Sequence, residues 1–123
     1  MIEVSSITPT IAIEDMTCYK LVYVCEDDNQ KCKSSVYGTL YSIGGSGPDE
    51  EELQVEGPYN DVTEGYPEFW NVKSGFASYR DIPVPYSNGM RVAVCKIPRG
   101  ASFLKDQNGS CYASSKIVVE KIL

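Results

Sequence analysis

The chain has 123 residues, 42% of them apolar, with 17 acids against 11 bases, no histidine and five cysteines. That length suits one domain with a modest core. A net charge of −6 excludes general binding to nucleic-acid phosphates, which needs a basic surface, and no apolar run approaches the ~20 residues of a membrane span. The charge is uneven: residues 1–62 hold 12 acids and 3 bases, whereas residues 63–123 hold 5 acids and 8 bases. An acidic front half is either a solvated face or a contact surface for a basic partner. Met1-Ile2-Glu3-Val4-Ser5-Ser6 has neither the basic nor the apolar region of a signal peptide, so a cytoplasmic location is expected.

Ile2–Val4 reads as a short edge strand. Thr8-Pro9-Thr10 breaks it, Ile11-Ala12-Ile13 is a second short apolar piece, and Asp15 is placed to cap a turn. Thr17–Cys25 is a clear strand, β-branched and aromatic in content. Tyr19, Leu21, Tyr23 and Cys25 point one way, and Cys18, Val22 and Val24 the other, interrupted by Lys20. Glu26–Lys31 is a polar turn, which leaves Cys25 and Cys32 able to face each other across a hairpin. Ser34–Ile43 reads as the returning strand, with Gly38 as a bulge or a close backbone approach.

Gly44–Glu52 is an acidic, glycine-rich loop. It is not a phosphate loop, because no Lys-Ser/Thr follows it and Asp49, Glu50, Glu51 and Glu52 repel phosphate. Leu53–Val55 reads as a short strand and 57–67 as a loop. Phe69–Val72 and Gly75–Tyr79 form the aromatic centre, with room for a single turn near Ala77–Asp81. Pro83 and Pro85 forbid a regular helix over 81–86, and no helix of ten residues is legible anywhere.

The last third is the predicted stability centre. Arg91–Ile97 is apolar at nearly every position, as in a strand covered on both faces. Asn88-Gly89 precedes it as a turn signal, and Pro98-Arg99-Gly100 ends it. Ala101–Leu104 and Cys111–Ala113 flank the hairpin signal Asn108-Gly109. Ser115–Leu123 closes the chain, with Ile117, Val119 and Lys121 alternating against Val118, Glu120 and Ile122. The expectation is a mainly β fold: one antiparallel β-sheet domain spanning 1–123, a curled sheet or partly open barrel with little or no helix.

Without histidine, the serine triad and the cysteine–histidine dyad are absent in their usual forms, and paired carboxylates lie only in loops that read as exposed. With no CxxC pair and no histidine, no metal site is predicted, nor any cofactor. An odd cysteine count fits poorly with a secreted disulfide framework, so Cys95 and Cys111 read as buried free thiols. Binding is the better reading than catalysis. Tyr59, Tyr66, Trp70, Tyr79 and Tyr86 lie in or beside Pro/Gly-rich loops, where rigid rings stack on a partner, with Arg80 among them as a possible fork for phosphate or carboxylate. The alternative is that Phe69, Trp70 and Phe76 fill the core.

Three stretches, with a fourth near Phe76, carry a resemblance. Tyr19-Lys20-Leu21-Val22, Gly75-Phe76-Ala77, Val92-Ala93-Val94-Cys95-Lys96-Ile97-Pro98-Arg99-Gly100 and the closing Ala113–Leu123 together resemble a loose group of small phage and prophage proteins. Ala77 stands where that group carries histidine. The resemblance implies a virus-encoded cytoplasmic protein of an infected or lysogenic bacterium, without an activity. The function expected is a non-enzymatic binding protein that engages a host factor, either a bacterial defence component or its nucleotide signal. Its partner is then a host protein or a small nucleotide-like ligand. Two alternatives stand beside it: an enzyme related to ADP-ribosyl transfer, and a secreted or virion-surface module with a disulfide. The sequence leaves the oligomeric state open.

Overall fold

Alternating β-branched and aromatic residues fit a pleated, half-buried surface better than a helix, and strands are what they form. The computed structural model describes residues 3–4, 9–35, 38–44, 55–59, 69–72, 75–85, 87–106 and 109–123. In chain order its strands are β1 (Glu3–Val4), β2 (Thr10–Ile11), β3 (Met16–Val24), β4 (Lys31–Ser34), β5 (Leu40–Ser42) and β6 (Val55–Tyr59). They continue as β7 (Phe69–Val72), β8 (Phe76–Tyr79), β9 (Met90–Ile97), β10 (Ser102–Lys105), β11 (Cys111–Ser114) and β12 (Val118–Ile122). Among the described residues there is no helix.

Nine strands make one antiparallel sheet in the order β12-β9-β3-β8-β11-β10-β2, with β4 on β3 and β5 on β4; the path does not close. The expected mainly β, open antiparallel architecture is therefore present. A second, three-stranded sheet runs β1-β7-β6.

The long pair β3–β9 is in continuous register from Met16↔Ile97 to Tyr23↔Met90. One face of that pair carries Cys18, Val22, Ala93, Cys95 and Ile97, joined by Tyr41, Phe76, Phe103, Tyr112, Ile117 and Val119 in one apolar core. Burying each large apolar side chain contributes about 1.5–3 kcal/mol. The opposite face is mixed. Val92 is buried there, but Val94 and Lys96 are only half-buried. Lys96 stands 3.7 Å from Asp15 and 3.7 Å from Glu120. Asp15 caps a turn, though a distant one: its Oδ1 accepts the Arg99 amide at 2.9 Å.

Four expectations need correction. The predicted strand 34–43 is not continuous: β4 begins earlier, at Lys31, and ends at Ser34, and β5 covers only Leu40–Ser42, antiparallel to it. Thr39 N donates to Ser34 Oγ at 3.0 Å, Gly38 N donates to Ser34 O at 3.1 Å, and Gly38 takes φ 67°. A positive φ is cheap for glycine alone, so Gly38 makes a turn and not a bulge. Gly57-Pro58-Tyr59, read as loop, belong to β6; the register shifts between Glu56 and Tyr59, an irregularity that accommodates a residue with no amide to donate. Ala77–Tyr79 is strand, not a turn.

In β12 the alternation also breaks. Val119 pairs with Cys95 and Lys121 with Val94, so Glu120 is an inserted residue. The bulge turns Lys121 outward and packs Ile122 against the core. The two long strands of the last third, β9 and β12, pair directly, and the β10–β11 hairpin, which lies between them along the chain, sits beyond β8 on the far side of β3. Its turn is held by Asp106, whose carboxylate accepts Ser110 N at 2.7 Å, Ser110 Oγ at 2.8 Å and Cys111 N at 3.2 Å.

Candidate functional site

The most unusual side chain of the interior is Lys20. Strand alternation in β3 sends it inward between Cys18 and Val22, and it is only 7% exposed. Its cross-strand partner is Ala93, whose small side chain leaves room for a four-carbon stem. The ammonium donates to the carbonyl of Ala77 on β8 and lies 5.4 Å from the centre of the Tyr41 ring. Tyr41 in turn meets Phe76 edge-on at 6.2 Å.

That contact falls at a seam. The second edge of β3 is shared: β8 pairs with it only at Tyr19↔Tyr79, and β4 takes over at Val22. Lys20 spans the place where β8 diverges, supplying a side-chain hydrogen bond where the ladder stops. Ser78 is also buried here.

Burial pushes the Lys20 amine below its usual range, and the neighbouring Cys95, Cys18 and Cys32 thiols oppose it. Burial pushes the Cys18 thiol up to about 11, against the Ser78 hydroxyl and the Lys20 charge. It raises Cys95 further, and Cys32 as well. Removing charge from water is costly, so the amine and thiols are biased to their neutral forms. All five cysteines are free thiols. Cys32 is register partner to Val24, one position short of Cys25, so the two do not face each other squarely. Cys111 is half-buried, not buried as expected. Among the described residues no group of three His, Cys, Asp or Glu side chains is placed to hold a metal ion.

The sequence-predicted binding residues are dispersed. Tyr59 and Trp70 are on strands, not loops, in the three-stranded sheet: Tyr59 pairs with Phe69, and Trp70 with Val4. Tyr79 is half-buried in β8 between Tyr19 and Cys111. Arg80 is exposed; its amide donates to Ser110 O at 2.9 Å, and its guanidinium is engaged by Asp81 at 3.1 and 3.2 Å. Tyr66, Tyr86 and the acidic run Asp49–Glu52 lie outside the described residues. The structure thus brings Tyr59 to the strand beside Trp70's, and Tyr79 to Arg80. Phe76, expected as core or binder, is core.

Sequence reasoning missed Ile82 and Val84, which are 59% and 79% exposed. They follow Arg80-Asp81 directly, in a stretch stiffened by Pro83 and Pro85. The available signal was two β-branched residues spaced by proline, a pattern that can neither pair fully in a sheet nor turn into a helix. The signal for Lys20 was a single charge inside an otherwise apolar inward face.

No protein-family model, no curated protein and no solved structure matches this chain. What fold and site define is a class: an open antiparallel β protein with a lysine–thiol interior and an apolar, proline-stiffened outer loop.

Proposed function

We propose that this chain is a non-enzymatic binding protein of phage type that engages a host protein in the cytoplasm of a bacterium, a defence component being the kind of target its character fits. The observation that carries the reading is the exposure of Ile82 and Val84 beside Tyr79 and Arg80. Prolines lower the entropy lost when such a segment docks, a ring and an arginine are side chains enriched at protein interfaces, and exposed aliphatics beside them supply apolar area to bury. A protein partner is favoured over a nucleotide signal, because Asp81 already occupies the Arg80 guanidinium and its negative charge opposes a phosphate. The interior amine and thiols support binding over catalysis, since their accessible fraction is too small to meet a substrate.

The test is a pull-down from bacterial lysate with the immobilised chain and with an Ile82→Asp, Val84→Asp variant. Both positions are exposed, so the variant is expected to unfold at the same denaturant midpoint. The wild type is expected to retain a discrete protein that the variant loses. Retention of nothing, or of the same set by both, overturns the reading.

A further inference from the structure

Cys18 on β3 and Cys95 on β9 are direct register partners, and both are completely buried. They share the inner face, since each alternates in phase with other core residues, Val22 on one strand and Ala93 and Ile97 on the other. Opposed residues on one face of an antiparallel pair hold their Cβ atoms about 4.5–5.5 Å apart. A disulfide needs roughly 3.5–4.5 Å, so closure asks for a shift within the compliance of a twisted ladder. Cys25 and Cys32, the pair that hairpin spacing suggests, lack this relation because Cys32 opposes Val24.

We propose that Cys18 and Cys95 are a redox-modifiable dithiol, which a low-molecular-weight disulfide closes into a cross-strand cystine joining the two central strands. One thiol loses its proton and attacks the small disulfide, releasing one small thiol and forming a mixed disulfide. The second cysteine loses its proton, attacks the protein sulfur and displaces the other small thiol. Two cysteine thiols are oxidised, one small disulfide is reduced to two thiols, and both protons end on the released thiols. Lys20 is the next inward position on β3, and its charge favours both thiolates against burial.

Because both cysteines are fully buried in the folded chain, the reaction proceeds through local unfolding, and its rate follows the population of the unfolded segment. The bond would enclose residues 18–95 in one loop and so restrict most of the unfolded chain.

The experiment uses the full wild-type chain incubated with oxidised glutathione, with and without sub-denaturing urea, followed by intact mass and non-reducing peptide mapping. Expected are loss of two hydrogen atoms, a peptide linking Cys18 to Cys95, acceleration by urea, and a rise in Tm of about 5–15 °C that a reductant reverses. A Cys25→Ser, Cys111→Ser variant, which lacks the two half-buried thiols, is expected to give the same link. Predominant pairing of Cys25 with Cys32, glutathione adducts without an internal bond, or five thiols left free each overturn the proposal.

Discussion

Lys20 shows how one residue can be structural in its stem and costly at its tip. The stem fills the space opposite Ala93, and the tip satisfies the Ala77 carbonyl. Lys20→Ala removes both and is expected to cost about 2–4 kcal/mol, by cavity formation and loss of the buried hydrogen bond. Lys20→Met keeps the stem and is expected to stay within about 1.5 kcal/mol of the wild type. Urea titrations of both variants check the order. Lys20 also has a pH signature. Its folded value lies below the 10.5 of a free lysine, so between the two the unfolded chain binds more protons and stability rises with pH. Cys18 acts oppositely: its value rises from 9.0 to about 11, so the folded chain holds the proton longer and stability falls across that window. Lys20→Met removes the first effect, and with it the charge that opposes the rise of the Cys18 thiol, which strengthens the second. Its unfolding free energy is therefore expected to fall more steeply than the wild type's from pH 9.0 toward 10.5; parallel curves would mean that the amine titrates normally. Asp106 is a second residue of this kind. Slight burial opposes it, yet hydrogen bonds from Ser110, Cys111 and Gly109 hold its carboxyl below the usual 3.8. Its contribution is present above that value and lost as pH falls through the lowered one. Asp106→Ala is expected to cost about 1–2 kcal/mol and to speed amide exchange at Ser110 and Cys111.

At the scale of elements, β12 discriminates between a pattern and a register. Simple alternation puts Lys121 on the face of Val119; the bulge at Glu120 puts Ile122 toward the core instead. Ile122→Ala is therefore expected to lower stability by about 1–2 kcal/mol, and Lys121→Ala to change it by under about 0.5 kcal/mol. Denaturation midpoints of the two variants check the bulge directly. The β3–β8 seam is the counterpart on the other side of the sheet. Because the β3–β8 ladder pairs only at Tyr19↔Tyr79, β8 is expected to exchange its amides faster than β9, whose register with β3 is continuous. The legible strands were those whose apolar runs were long: Thr17–Cys25 and Arg91–Ile97 appear within a residue or two of their expected bounds. The misread ones were short, and their limits depended on Gly38 and on Pro58, where a turn or a bulge fits one residue equally well until its neighbours are known.

For the whole molecule, the sheet is open and its ends differ. β2, at one end, leaves Ile11 and Ile13 exposed while Ala12 turns into the core. Its short length limits edge-to-edge pairing with other chains. The proposed recognition surface lies elsewhere, after β8, and its aspartate variant is expected to lose partner without losing stability. By itself the sequence determined the β class, the long inner strands, the turns at Gly89 and Gly100 and the lack of a helix over 81–85, because hydrophobic period and backbone restriction act locally. Tertiary structure alone decided the strand order, the Ala77 carbonyl that Lys20 meets, the Cys18–Cys95 juxtaposition and the exposure of Ile82 and Val84. Each of those depends on which distant segment comes to lie alongside, and no spacing along the chain records that.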